Sequence, residues 1–84
     1  MDKKRIFIVE DEIIVAKDIA NRLTRAGYEV AGIAVQGKEA MQQLAASPAD
    51  LVLMDVVLRG SQDGIETAAQ IRERYDIPVV YLTA

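Results

Sequence analysis

A short apolar run that ends in a carboxylate constrains the fold of this chain more than any other feature. Residues 51–54 are all apolar and lead into Asp55, with Pro48 before the run and Gly60 after it. Such a run is typical of a strand buried on both faces, as in a parallel sheet covered by helices. Ligands of open α/β sheets bind beyond the carboxyl ends of the strands. We therefore expect Asp55 to lie where a ligand would bind.

Two further strand-like segments lead into polar groups in the same way. Residues 6–9 run into Glu10 and Asp11, and residues 79–82, opened by Pro78, run into Thr83. The carboxyl ends of parallel strands lie at one edge of a sheet. The sequence thus predicts that three carboxylates and one hydroxyl converge at that edge.

The segments between these strands have the periodicity of helices. The first helix is predicted to carry Ala16, Ile19 and Leu23 on one face, with Asp11 as its side-chain cap and Gly27 at its end. A second strand is predicted over residues 28–35 and a second helix from 37 to 47. A third helix is predicted from its own apolar stripe, which consists of Ala68, Ile71 and Tyr75. The order β-α-β-α-β-α-β favours a doubly wound α/β fold with a parallel sheet and right-handed crossovers.

Composition narrows the classes of function. The 84 residues allow one domain, and a net charge of −3 without a clustered basic face argues against direct binding of nucleic acid. No apolar run approaches the ~18 residues of a membrane span, so a cytoplasmic protein is expected. The chain has no cysteine and no histidine. Any phosphohistidine chemistry must therefore come from a partner.

Three clustered carboxylates repel one another unless a cation lies between them. Oxygen ligands of this kind suit Mg²⁺, which would be held by Glu10, Asp11 and Asp55. A carboxylate in such a site can also attack a phosphoryl group and form an acyl phosphate. The Thr83 hydroxyl is placed by the same pattern to contact that phosphoryl group.

Four motifs in order, at residues 9–11, 53–55, 63–66 and 78–84, make the whole chain resemble the receiver domain of two-component response regulators. The resemblance implies a flavodoxin-like sheet, with strand order 2-1-3-4 for the part present here. It also implies that the partner is a sensor histidine kinase or a histidine phosphotransfer domain. A receiver is a phosphoacceptor that assists its own phosphorylation and dephosphorylation, so no separate enzymatic activity is expected.

The same resemblance assigns roles to individual residues. Asp55 would be the phosphoacceptor, and the Val57 backbone carbonyl would join Glu10, Asp11 and Asp55 as ligands of Mg²⁺. The Thr83 hydroxyl would be the switch group. The Ala84 backbone N–H would donate to the phosphoryl oxygens.

The sequence departs from the family pattern in two places. Arg59 stands where receivers commonly have proline. The sequence given ends at Ala84, so residues 1–84 are expected to be an incomplete receiver domain without the fifth strand, the last two helices and the family's active-site lysine. The strand over residues 79–82 would then be an edge, and we expect it to pair with a second copy of the chain.

Two alternative functions stay open on the sequence alone. The missing lysine is compatible with an interaction module that works without phosphorylation. A phosphohydrolase with an aspartyl-phosphate intermediate is disfavoured, because Val57 occupies the position of that class's second aspartate.

Overall fold

The computed structural model describes residues 3–55 and 64–82. Strands and helices alternate through these residues, as the sequence predicts. Their order is β1 (Arg5–Val9), α1 (Ile13–Arg25), β2 (Glu29–Ala34), α2 (Gly37–Ala46), β3 (Leu51–Asp55), α3 (Gly64–Tyr75) and β4 (Val79–Leu82). Within this described part, no helix has the length and apolar character needed to cross a bilayer.

The four strands form one parallel sheet in the order β2-β1-β3-β4, which confirms the predicted order. β1 is therefore an inner strand with hydrogen bonds to both neighbours. Its last residue, Val9, pairs with Met54 of β3, and Asp55 pairs with Leu82 of β4. This register brings the carboxyl ends of β1, β3 and β4 to one edge of the sheet.

The main core lies between the sheet and the two helices α2 and α3. Phe7 and Val9 from β1 and Met54 from β3 are fully buried there, together with Leu44 and Ile71 from the helices. Gly32 of β2 is required at this face, since a Cβ at that position would lie 2.8 Å from the ring of Phe7. The aromatic ring thus fills the space that a side chain on β2 would otherwise occupy.

The opposite face of the sheet is covered in part. α1 packs on β1 and β2, where Ile6, Ile8 and Ala16 are buried. Leu53 of β3 and Leu82 of β4 are only half-buried on this side, and Val80 is 46% exposed. The prediction that β3 is buried on both faces is wrong for the described residues, because no described helix packs over β3 and β4 on the α1 side.

Arg5 connects several elements at the edge of the sheet that lies farthest from the carboxylates. Its guanidinium donates to the Pro48 carbonyl at 3.0 Å and the Ser47 hydroxyl at 2.7 Å, and it pairs with Glu29 at 3.0 Å. Its backbone N–H donates to the Asp50 carboxylate at 2.8 Å. One side chain thus links β1 to β2 and to the connection between α2 and β3.

Two turns show why particular residues end the helices. Gly27 follows α1 with a φ of 98°, as predicted for the residue that ends this helix, because glycine adopts this left-handed conformation at little cost. Asp76 follows α3 with a φ of 53°, a conformation that aspartate tolerates better than most residues. Both turns lead the chain back to the sheet within a few residues.

Candidate functional site

Glu10, Asp11 and Asp55 form a cluster of carboxylates at the carboxyl edge of the sheet. Each contributes one carboxylate oxygen to a group in which these atoms lie within 4.8 Å of one another. The cluster follows from the β1–β3 ladder: Val9 pairs with Met54, so the residues that follow each of them lie side by side. The predicted convergence of these three carboxylates is confirmed.

Glu10 is the buried member of the cluster, with 7% of its surface exposed. Its backbone N–H donates to the Ala34 carbonyl at 3.0 Å, which extends the pairing of β1 with β2 by one residue. Its carboxylate Oε1 accepts a hydrogen bond from the Glu12 backbone N–H at 3.2 Å. The side chain is thus held inward toward the other two acids rather than toward solvent.

Burial raises the pKa of the Glu10 carboxyl from 4.5 to about 7. The hydrogen bond from the Glu12 N–H opposes this rise, because it stabilises the ionised form. The neighbouring acids Asp11 and Asp55 add to the rise. At neutral pH the buried carboxyl is therefore divided between its protonated and ionised forms.

The predicted side-chain cap of α1 by Asp11 is wrong. The helix begins at Ile13, its N-cap residue is Glu12, and no side-chain hydrogen bond caps it. The chain bends at Asp11, and Glu12 comes between this residue and the first residue of the helix, so Asp11 lies one position too early to be the N-cap residue. Its carboxylate instead joins the cluster with Glu10 and Asp55.

A cleft of about 400 Å³ opens beside the carboxylates. Its apolar wall is formed by Val15 and Ile19 of α1 and by Leu82 of β4. Sequence reasoning placed Ile19 on the apolar face of the first helix and did not identify this wall. The signal was present, since Val15 and Ile19 are four residues apart and therefore share a helix face above the end of β1.

The residues present fit a bound Mg²⁺. All three ligand candidates are carboxylates, which suit a hard cation that keeps some of its water. The buried Glu10 carboxyl also has a pKa of about 7, chiefly because burial removes it from water and further because Asp11 and Asp55 lie beside it. A cation placed between the three groups would remove that repulsion and favour the ionised form.

Several predicted site residues lie outside residues 3–55 and 64–82 and have no structural description here. They are Val57, Thr83 and Ala84. The described structure does show that Leu82, the residue before Thr83 in sequence, pairs with Asp55. The roles of the three residues stay predictions, and Arg59 also lies outside the described residues.

Comparison with known proteins identifies the family to which this chain is similar. The family model for the response regulator receiver domain matches residues 6–84. The transcriptional regulatory protein PdtaR of Mycobacterium tuberculosis is 40% identical over 81 residues, which cover 96% of this chain and 39% of PdtaR. This chain thus spans about two-fifths of the length of that curated relative.

Solved structures agree with the sequence comparison. The N-terminal domain of a response regulator/sensory box/GGDEF protein from Carboxydothermus hydrogenoformans matches with a TM-score of 0.90 and 44% identity, over 96% of this chain and 65% of that one. The receiver domain of PhyR from Erythrobacter litoralis matches with a TM-score of 0.91 and 28% identity, over 100% of this chain and 65% of that one. The sheet order and the three helices agree with these folds, and the chain belongs to the response regulator receiver domain family.

Proposed function

We propose that this receiver domain accepts a phosphoryl group on Asp55 in a Mg²⁺-dependent step of two-component signalling. The supporting observation is the group of three carboxylates, Glu10, Asp11 and Asp55, at the ends of two paired strands. Such a group is costly to build in a small domain, because like charges repel. A bound cation would offset this repulsion, with the carboxylates as its ligands, and one of the carboxylates would also act as the nucleophile.

The transfer would proceed by in-line displacement at phosphorus. A carboxylate oxygen of Asp55 forms the new O–P bond while the N–P bond of a phosphohistidine breaks. The imidazole leaves with the electron pair of that bond and takes up a proton. Bound Mg²⁺ would neutralise negative charge on the phosphoryl oxygens.

Glu10 and Asp11 would hold the cation, and Val15 and Ile19 would limit the access of water to the acyl phosphate from the α1 side. Because the pKa of Glu10 is about 7, binding of the cation near neutral pH would release part of a proton from this carboxyl. Mg²⁺ affinity should therefore fall as the pH drops below 7.

The partner that carries the phosphoryl group would contact the start of α1. Ile13 and Ile14 stand there in the sequence directly after Glu12, and Ile14 is 82% exposed. A second exposed isoleucine, Ile65, lies in the first turn of α3, at the same edge of the sheet. Exposed isoleucines around an acidic site suit an apolar protein surface, and this chain contains no histidine that could donate a phosphoryl group itself.

Mass spectrometry after treatment with a small acyl phosphate and Mg²⁺ tests the acceptor. The parent chain should gain one phosphoryl group, and Asp55→Asn should gain none. Asp18→Asn is the matched control, since Asp18 lies exposed on α1 in a surface pair with Arg22. An adduct that survives in Asp55→Asn would refute the assignment. The absence of any adduct in the parent would favour an interaction module that works without phosphorylation.

A second assay distinguishes an effect on docking of the partner protein from an effect on phosphoryl transfer itself. In Ile14→Asp, transfer from a phosphohistidine-carrying protein should be at least several-fold slower, while transfer from the small acyl phosphate should be unchanged. Equal loss with both donors would show that Ile14 acts on the acceptor site rather than on docking. No loss with either donor would place the docking surface elsewhere.

We also propose that β4 pairs with a second copy of the chain. Within the described residues β4 has a partner on one side only, and Val80 is 46% exposed. Unprotected apolar edge strands are templates for association with another chain. Light scattering should report a dimer for the parent and a monomer for Val80→Lys, which places a charge on this edge. A monomeric parent would contradict the proposal.

A further inference from the structure

The surface between α2 and α3 forms a groove that the proposed phosphoryl transfer does not use. It lies on the face of the sheet opposite α1, where α2 and α3 cover the main core. The groove has a volume of about 660 Å³, which is within the range of clefts that bind ligands in proteins. The residues that line it are Lys38, Met41, Gln42, Gln70, Glu73 and Arg74.

Two contacts hold the walls of this groove in place. At the start of the helices, Gly37 lies against Thr67, where an added Cβ would be 3.1 Å from the Thr67 Cβ. Further along, the Tyr75 hydroxyl of α3 donates to the Met41 carbonyl of α2 at 3.0 Å. The Met41 side chain packs against the core and gives the groove an apolar base. The groove is therefore formed before a partner binds, which lowers the entropy cost of binding.

The lining of the groove carries more positive than negative charge. Lys38 and Arg74 are exposed cations, and Glu73 is an exposed anion. Within residues 3–55 and 64–82, neither Lys38 nor Arg74 forms an ion pair. Lys38 is the second residue of α2, where the helix dipole adds to its positive charge. The groove should thus attract anionic groups, although the chain has a net charge of −3.

The positions of the two cations fit the spacing of an α-helix. α2 and α3 run in the same direction, because each connects two parallel strands. Gly37 lies level with Thr67; Lys38 directly follows Gly37, whereas Arg74 lies about two turns beyond Thr67. The cations are therefore roughly 9 Å apart along the helix direction, with Met41 between these two levels. Side chains two turns apart on one face of a bound helix would be separated by roughly 10.5 Å, a distance that the flexible cationic side chains can match.

We propose that the groove between α2 and α3 is a docking site for an acidic amphipathic helix of a partner protein. Two acids on that helix would pair with Lys38 and Arg74, and an apolar side chain between them would contact Met41. Methionine suits this contact, because its flexible side chain adapts to different apolar partners. Gln42 and Gln70 offer amide donors and acceptors beside it. The proposal is independent of the proposed function, since the groove includes none of the clustered carboxylates.

Fluorescence anisotropy with a synthetic peptide tests the docking site. The probe is a labelled helical peptide of about 20 residues, with two glutamates seven positions apart and two leucines between them. The parent chain should bind it at micromolar concentrations, and more weakly as the salt concentration rises. Lys38→Glu and Arg74→Glu should each weaken binding about ten-fold, because each places a like charge against a glutamate of the peptide.

The matched control for the double variant Lys38→Glu with Arg74→Glu is Lys17→Glu with Arg25→Glu. Lys17 and Arg25 are exposed on α1, so the control makes the same change of net charge on the other face of the sheet. It should bind the peptide within about two-fold of the parent, since its charges are remote and screened by salt. A second peptide, with lysines in place of both glutamates, should bind the groove variant more tightly than the parent. Circular dichroism confirms that each variant is folded.

Three results would overturn the proposal. The first is no binding of the acidic peptide to the parent up to about 1 mM. The second is an equal loss of binding in the control on α1, which would show attraction by net charge rather than docking in the groove. The third is a groove variant that binds the peptide like the parent but differs from it in oligomeric state by light scattering, which would assign the groove to a second copy of the chain.

Discussion

Glu10→Gln should make the metal-free domain more stable at neutral pH, although it removes a residue of the site. The folded carboxyl has a pKa of about 7, whereas its ordinary value is 4.5. Between these two values the unfolded chain loses the proton first, so the folded state binds more protons. Under this condition the free energy of unfolding falls as the pH rises.

The size of the effect follows from the difference between the two pKa values. Each unit corresponds to about 1.4 kcal/mol, so a rise from 4.5 to about 7 costs up to about 3 kcal/mol above pH 7. Below pH 4.5 both states are protonated and the cost vanishes. Glutamine stays neutral throughout and keeps an oxygen that can accept from the Glu12 N–H, which bonds Glu10 at 3.2 Å. The gain should therefore grow from near zero at pH 4.5 to its full value above pH 7.

Urea unfolding at several pH values between 4.5 and 8, with a chelator present, measures this gain. The parent should lose stability across the range relative to Glu10→Gln, and saturating Mg²⁺ should return stability to the parent alone. Glu73→Gln is the control, because Glu73 is exposed on α3, and its profile should follow that of the parent. Parallel profiles for the parent and Glu10→Gln would refute the reasoning, since they would mean that burial does not perturb this carboxyl.

Three further substitutions test the fold. Arg5→Ala removes the hydrogen bonds to Pro48 and Ser47 and the ion pair with Glu29, and it should lower the free energy of unfolding by about 1–3 kcal/mol. Gly27→Ala should cost about 1 kcal/mol, because alanine disfavours a φ of 98°. Gly32→Ala should cost about 1–3 kcal/mol, because its Cβ would lie 2.8 Å from the Phe7 ring. Urea unfolding measures the free energy of unfolding of all three variants. A change below a few tenths of a kcal/mol in any one of them would contradict the stabilising role given to the corresponding residue.

The sheet and its carboxylates could be predicted from the sequence because both follow from the order of strands. An apolar run followed by an acid marks a strand end, and the parallel arrangement then brings Glu10 next to Asp55. Each step depends on residues adjacent in sequence and on one rule of topology. The order β2-β1-β3-β4 came from the resemblance to receivers rather than from the strands themselves, since the pattern alone allows other orders.

Features that depend on contacts between distant elements could not be predicted. The start of α1 is predicted too early because Asp11 is a good cap by residue type, whereas the helix begins at Ile13 with Glu12 as its N-cap residue. The half-buried side of β3 was missed because an apolar run does not reveal how far the helices extend over the sheet. A Cβ at Gly37 would lie 3.1 Å from the Cβ of Thr67, and neither sequence segment indicates this close approach.

The inner position of β1 has a consequence for the order in which the domain folds. During synthesis from the N-terminus, β1, α1 and β2 are complete before β3 exists, and the pairing of β1 with β2 involves no residue of β3. Asp55 joins Glu10 and Asp11 only when β3 adds to the other side of β1. Such long-range pairing is the slow part of folding for parallel sheets. The repulsion between the acids and the Mg²⁺ site proposed above should thus arise together in that late step, and Mg²⁺ bound at that site should slow the loss of β3 without changing how fast β1 and β2 first meet.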